Sequence, residues 1–255
     1  MAGNVAEHGA SVTARALRLL GAFDYAHRRL SLSDLAARAE LPMPTAHRLV
    51  AELVAWGALT REPAGSYVVG RRMWDLGLLA PVPTTLRAIA SPFLHDLYSA
   101  TLATVHLAVR DGTQVLYLDS LRGHASVPIV SGVGSRLPMH ATGVGKALLA
   151  FAPEVVVDEV LADLTRITPY TITQPGRLRH QLRRVRSDGF AHTSEEMSLG
   201  ACSIAVPVRS SAGEVVAALG IVVADLRRER SRLVAALRVA VRGVERSIAE
   251  FDSVQ

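Results

Sequence analysis

Over the first 80 residues apolar positions recur at helical spacing, and further along they alternate at strand spacing, so the chain carries two kinds of structure in series. The segment SLSDLAARAELPMPTAHRLVAEL at 31–53 predicts two short helices joined by a tight break. The first is expected to open at Ser33, whose hydroxyl can cap the free N–H groups ahead of Asp34 to Ala39, with Asp34 placed against the positive end of the helix dipole. Pro42 and Pro44 force the break, because each biases its predecessor out of the helical region, and Pro44 suits a first helical position. In the second helix Ala46, Leu49, Val50, Leu53 and Val54 form one apolar stripe, which leaves Thr45, His47, Arg48, Ala51 and Glu52 outside it. Upstream, Val12, Ala16, Leu19, Leu20 and Phe23 keep helical spacing behind a cap at Ser11 or Thr13. Downstream, Leu59-Thr60-Arg61-Glu62, a turn at 63–66 and Tyr67-Val68-Val69 read as a β-hairpin. A helix-turn-helix followed by a hairpin is a winged helix.

The pattern continues with a short helical stretch at 71–79 carrying Met73, Trp74 and Leu78 on its apolar side. That stripe is either intradomain core or, since the winged helix is already complete at Val69, a linker helix that pairs protomers. Pro81-Val82-Pro83 ends it. The period then changes: a helix at 84–99 precedes strands at 104–109 and 115–118 around an Asp111-Gly112 turn, and a second strand pair at 203–208 and 215–223 turns at Ser211-Ala212-Gly213. Helical segments at 143–151, 153–163 and 175–188 lie between the pairs, and a long amphipathic helix spans 226–250. Adjacent hairpins with intervening helices predict an α+β domain with an antiparallel sheet. The expected division is 1–70 for the winged helix-turn-helix domain, 71–88 for linker helix and hinge, and 89–255 for the second domain.

A chain of 255 residues with 49% apolar composition fills two cores. The net charge of +5 invites a nucleic-acid partner, but residues 1–80 hold nine arginines against seven acids, which leaves only +2 there; the fold pattern carries that argument better than the charge does. Cys202 is the sole cysteine, so an internal disulfide and a multi-cysteine metal site are excluded. The amino-terminal residues do not read as a signal peptide, and no apolar run approaches the ~20 residues of a membrane span. A cytoplasmic location, no membrane partner, no cofactor and no metal are expected.

A helix that buries one stripe and offers small, hydroxyl, imidazole and guanidinium groups near its amino end has what a major-groove reader needs, although an ordinary solvated face has the same make-up. The candidate DNA-contacting residues are Ser33, Met43, Pro44, Thr45, His47 and Arg48, with Arg61 on the hairpin. In the second domain Gly143-Val144-Gly145-Lys146 suggests a phosphate loop, but His140 stands where that motif needs glycine and Ala147 where it needs a hydroxyl. What remains is a glycine-rich loop entering a helix, whose free N–H groups hold a carboxylate or cap themselves.

LPMPTAHRLVAEL at 41–53 and GSYVVGRRMWDLG at 65–77 resemble the N-terminal domain of the IclR family of bacterial transcriptional regulators. GSRLPMHATGVGKALLA at 134–150, TPYTIT at 168–173 and SEEMSLGACSIAVPV at 194–208 resemble, in order, that family's GAF-like effector-binding domain. The resemblance implies a homo-oligomer, a dimer or a dimer of dimers, that binds double-stranded operator DNA through its winged helices and answers to a small organic acid. It implies a repressor of a catabolic operon, with an activator as the alternative. Carried over residue by residue, it implies a polar pocket floor at Gly143, Val144, Thr193, Ser203, Gly220 and Val222, and an apolar lid including Ile129, Leu137 and Ala201. Where members that take small α-keto acids have an acidic residue, a cysteine and two serines, this chain has Thr193, Ser203, Gly220 and Val222. Losing those donors and acceptors points to a larger, partly apolar ligand such as an aromatic acid.

For Lys146 and Arg136 a solvated face is expected ahead of a role as carboxylate partner, and His106, His124 and His140 read as satisfied polar residues. The rival class is an enzyme on a GAF-like domain. Cys202, Ser203, His192, Glu195 and Glu196 are close along the chain, but no nucleophile elbow or spaced metal-ligand set accompanies them. A ligand-free scaffolding protein would keep the winged helix and need no pocket.

Overall fold

Ser31, not Ser33, starts the second helix of the computed structural model, which describes residues 11–24, 27–77, 79, 84–123, 127, 130–227 and 229–253. The Asp34 N–H donates to Ser31 Oγ while the Ser31 N–H donates to Asp34 Oδ2, each at 3.2 Å. That reciprocal capping box fixes the start two residues earlier than expected, because only Ser31 has a carboxylate three residues on. Ser33 lies inside the first turn, its hydroxyl 2.7 Å from Ser31 Oγ.

The chain divides into two compact units, Met1–Val82 and Pro83–Gln255. In the first, helix α1 (Val12–Gly21) is capped by Ser11, α2 spans Leu32–Arg38 and α3 spans Met43–Trp56, one residue earlier than Pro44. Its cap residue is Pro42, and Pro44 falls within the first turn, where its missing N–H costs nothing. Strands β1 (Leu59–Arg61) and β2 (Tyr67–Val69) pair in register Leu59↔Val69, and an extra bridge ties Leu30 to Tyr67. Leu19, Leu35, Ala46, Leu49, Val50 and Leu59 fill the core under this wing. Gly57 ends α3 at φ +88°, and a side chain at Gly70 would strike the Gly57 carbonyl oxygen at 2.2 Å, so strand end and helix end meet only because both positions are glycine. Helix α4 (Arg71–Gly77) follows, with Trp74 65% exposed. The expected Leu78 of its stripe and the prolines at 81 and 83 lie outside the described residues.

The second unit runs α5 (Thr84–Thr101), β3 (Thr104–Asp111), β4 (Gln114–Leu121), β5 (Arg136–Pro138), one 3-10 turn (Met139–Ala141), α6 (Gly143–Leu149), α7 (Glu154–Ala162), α8 (Pro175–Asp188), β6 (Ala191–Ser194), β7 (Cys202–Arg209), β8 (Val215–Val223) and α9 (Arg230–Asp252). The expected helix at 226–250 thus begins at Arg230. The six strands form one antiparallel sheet in the order β5-β4-β3-β8-β7-β6. Alternation along the strands sends Val105, Leu107, Ile204, Val206, Leu219 and Ile221 to one face, where α5 and α9 cover them. Ala108, Ala205 and Ala218 go to the other, under α6. Strands β5 and β6 were not expected; at three and four residues they are too short to show a period and exist by pairing to the sheet's edges.

Candidate functional site

At the amino end of α3, Met43, Pro44, His47 and Arg48 are exposed, Thr45 is half-buried, and no side chain caps the helix. A free helix amino end beside short polar groups is suited to a phosphate or a base edge. Among the described residues Arg48 is held only by an exposed i,i+4 contact to Glu52 at 3.5 Å, a contact of small energetic weight, so its guanidinium is available to another acceptor. Ser33 is exposed on α2, and Arg61 lies on the wing with its guanidinium 5.9 Å from the Tyr67 ring centre. Other arginines of this unit serve the fold: Arg38 binds Asp24 and the Ala22 carbonyl, and Arg29 binds Glu62.

The second constellation is built by strand register. Thr104 pairs with Val222, Val222 with Ser203 and Ser203 with Thr193, so these four side chains form a row across β3, β8, β7 and β6 on the α6 side of the sheet. In the next row His106 opposes Gly220. A Cβ at Gly220 would come within 2.7 Å of Val144 Cγ1, which is why α6 can lie so close. The cavity between them is lined by Leu137, Gly143, Val144, Thr193, Ala201, Ser203, Gly220 and Val222 from the expected set. Ile129 lies outside the described residues. The cavity is narrow, with about 40 Å³ in which a water molecule can be centred, roughly three water places at ~10–15 Å³ each.

Its polar groups are largely committed. Thr142 caps the Gly145 N–H, Gly143 N–H donates to Ser203 Oγ at 3.1 Å, and the Ser203 and Thr193 hydroxyls are 2.5 Å apart. Two amides of the glycine loop are therefore occupied, Gly145 by Thr142 of the loop itself and Gly143 by Ser203 of β7, so the expected carboxylate anchor at Gly143 is already taken. The Val144 N–H has no acceptor among the described residues. Two hydroxyls sharing one hydrogen bond leave one O–H proton to donate outward.

His106 and Tyr117, missed as lining residues, meet edge to face with centroids 4.9 Å apart. Burial, with the charge of Arg122, pushes the His106 pKa down to about 3, so it is neutral and shares a hydrogen bond with Ser131 at 3.1 Å. The signal for His106 was present: it is the one imidazole inside an apolar strand, on the same face as Gly220. His140 bonds the Thr165 carbonyl, and His124 lies outside the described residues.

The segment 195–201 supplies Met197, Ser198 and Ala201 to the cavity and is clamped from beneath. Lys146 is not on a solvated face; it is 1% exposed and its Nζ lies 2.7 Å from both Glu196 oxygens and from Gln181 Oε1. Burial pushes its pKa down and that of Glu196 up. Thr168 Oγ1 donates to the Glu195 carbonyl and Thr171 Oγ1 to the Glu196 carbonyl, both at 2.7 Å, which accounts for the two threonines of TPYT. Arg136, as expected, is exposed and pairs with Asp111. The groups that suggested an enzyme are spent elsewhere: Ser203 on Thr193, Glu196 on Lys146, and His192 beside Arg230. Among the described residues no cluster of His, Cys, Asp or Glu is arranged to hold a metal ion. No described helix is long and apolar enough to cross a membrane.

Comparison with known proteins adds the following. Residues 82–249 match the family described as bacterial transcriptional regulator IclR C-terminal, and residues 12–63 match the IclR helix-turn-helix domain. The chain is 31% identical over 210 residues to the HTH-type transcriptional regulator XynR of Escherichia coli K12, covering 81% of this chain and 83% of XynR. It is 31% identical over 219 residues to the HTH-type transcriptional repressor AllR of Salmonella typhi, covering 85% and 80%. Among solved structures, an IclR homolog of Microbacterium hydrocarbonoxydans complexed with 4-hydroxybenzoate superposes with a TM-score of 0.88 at 36% identity, over 93% of this chain and 99% of that one.

Proposed function

The chain belongs to the IclR family of bacterial transcriptional regulators, and from that footing we propose that it represses a catabolic operon until an aromatic or medium-chain carboxylic acid enters the cavity against α6. It is a ligand-responsive regulator of transcription and not an enzyme. Acting in the cytoplasm, α3 would enter the major groove of an operator half-site, with Thr45, His47 and Arg48 toward the bases and Arg61 of the wing toward the backbone. Exposed Trp74 on α4 supports a pairing of protomers that matches two half-sites.

The observation that carries the ligand class is the pairing of one uncommitted amide with apolar walls. The Val144 N–H and one outward hydroxyl of the Thr193–Ser203 pair suit a single carboxylate, while Gly220, Val222, Leu137 and Ala201 offer apolar surface to the body of the ligand, and His106 and Tyr117 on the same lining are there for a phenol hydroxyl. A keto acid of two or three carbons has too few atoms to gain from that apolar surface. A ring gains ~25 cal/mol per Å² of apolar area buried. The narrow cavity requires Val130 and Met197 at its rim to give way for such a ring. The complex of the Microbacterium homolog with 4-hydroxybenzoate supports the same class.

Calorimetric titration tests this. Micromolar binding of 4-hydroxybenzoate or another aromatic acid is expected, with none for pyruvate or glyoxylate. Val222→Asp, which places a like charge beside the carboxylate, should abolish binding without creating a keto-acid site. Tight binding of pyruvate to the wild type would overturn the reading.

A further inference from the structure

A second cleft lies on the far side of Lys146 and differs in character from the first. It offers about 180 Å³ in which a water molecule can be centred and is walled by Arg177, His180, Gln181 and Arg184 of α8, Phe190 and His192 at β6, and Lys146 at its inner end. On α8 the positions 177, 181 and 184 recur at helical spacing, so their side chains share one face. Arg230, at the start of α9, joins from the rim: its guanidinium lies 5.0 Å over the Phe190 ring, with Nη2 3.3 Å from His192 Nδ1.

The charges do not balance. Lys146, Arg177, Arg184 and Arg230 are four cations, and the carboxylates facing them are Glu196, bound to Lys146, and Asp188, 3.7 Å from Arg184; four minus two leaves two positive charges. Arg177 has no ion-pair or hydrogen-bond partner among the described residues. His192 adds no negative charge; burial, with Arg230, Lys146 and Arg184 around it, holds its pKa down to about 4, so it stays neutral and offers Arg230 a ring nitrogen. Two guanidiniums, a roomy polar cleft and an excess of two charges fit a dianion with tetrahedral oxygens better than a monocarboxylate.

We infer that this cleft is a second ligand site, distinct from the cavity under α6, which binds the phosphate dianion of inorganic phosphate or of a small phosphomonoester. Arg177 and Arg184 grip the oxygens from α8 and Arg230 closes from the rim. Lys146 links the two through Glu196: an anion that draws its ammonium group away from Glu196 loosens the 195–201 segment, which supplies Met197, Ser198 and Ala201 to the first cavity. Phosphate and the carboxylic acid are therefore coupled through one segment.

The test is titration of the full-length protein with inorganic phosphate and, separately, phenyl phosphate, at constant ionic strength with chloride as the control. Saturable binding is expected for at least one of them, with phenyl phosphate tighter if the natural ligand is an ester and equal or weaker if it is free phosphate. Arg177→Ala with Arg184→Ala, both on the exposed face of α8, should weaken it by at least about tenfold while leaving 4-hydroxybenzoate affinity unchanged when phosphate is absent. Phosphate titrations in the two proteins read the site directly, so they decide the matter even where 4-hydroxybenzoate fails to bind. Binding that does not saturate, that chloride reproduces, or that survives the double substitution overturns the inference. So does a double variant whose only defect is weaker operator binding, which would assign the cleft to the DNA backbone.

Discussion

Replacing Lys146 by Met tests how the roof of the cavity under α6 is held. The side chain is 1% exposed and its partner Glu196 6%, so the substitution leaves a carboxylate buried with its cation gone. Removing one partner of a buried pair costs about 3–5 kcal/mol, whereas replacing both by apolar groups of similar volume is often neutral or stabilising. The directions of the two pKa shifts agree: the ammonium is pushed down and the carboxyl up, with burial the largest cause for each. Desolvation therefore outweighs attraction in this pair, and its role is to position residues 195–201 more than to stabilise the fold.

Lys146→Met and Glu196→Gln should each lower the thermal midpoint of the second unit, the first by roughly 6–20 °C at 2–4 °C per kcal/mol for a unit of this size. The double variant Lys146→Met with Glu196→Leu should recover most of that loss yet bind 4-hydroxybenzoate about tenfold more weakly, because the segment that carries Met197, Ser198 and Ala201 then loses its anchor through the Glu196 side chain. Calorimetric scanning and titration read the two quantities separately. A Lys146→Met protein that melts within a degree or two of wild type would refute the argument from burial. A double variant with wild-type affinity would refute the positioning role.

Arg48→Ala should weaken specific operator binding by about 1–3 kcal/mol in mobility shifts at fixed salt, and unchanged binding would remove Arg48 from the interface. Replacing Thr45, His47 and Arg48 together should abolish sequence preference; full retention would remove α3 as the reader. Trp74→Ala should shift the sedimenting species toward monomer, and a wild-type monomer at micromolar concentration would end the two-half-site picture. Because His106 is held at a pKa of about 3 against about 6.5 unfolded, its contribution is present above pH 6.5 and is lost as pH falls toward 3. Urea titrations should accordingly show about 2 kcal/mol less stability at pH 5 than at pH 7 from this residue alone, a slope that His106→Asn should flatten.

The elements that sequence reading found are those whose period is long enough to count. The stripe Ala46, Leu49, Val50 of α3 and the alternating strands β3, β7 and β8 each repeat several times, and each lies where the period puts it. Short elements escaped. Strands β5 and β6 hold no more than two side chains per face, and their existence depends on partners 20 or more residues distant from β5 and eight or more from β6. Capping was misread where two serines compete, since the choice of Ser31 over Ser33 is made by Asp34, a residue counted as a dipole partner only. The cavity was legible through motif resemblance, not through period: eight of nine residues carried over line one cavity. Lys146 was misplaced for a physical reason. A lone lysine in a glycine-rich loop looks solvated, and nothing local reveals that a glutamate fifty residues on will meet it in the core.

That long-range pair also bears on how the proposed ligand would be accommodated in so narrow a cavity. The cavity floor is rigid: four paired strands carry Thr104, Val222, Ser203 and Thr193 in one row, and Gly220 lets Val144 rest on the sheet. The floor cannot give way without breaking ladder hydrogen bonds, so a ring-sized ligand must displace the roof. The roof hangs on Lys146 and on two threonine hydroxyls that bond the carbonyls of Glu195 and Glu196. Glu195 adopts φ +55°, a backbone conformation that costs a non-glycine residue about 1 kcal/mol or more and persists only where surrounding bonds insist on it. A second packing of that strained roof, close in energy to the first, is what a ligand of modest affinity would need in order to shift a population. Of the elements around the cavity, the 195–201 segment and its Lys146 anchor are where such a switch belongs.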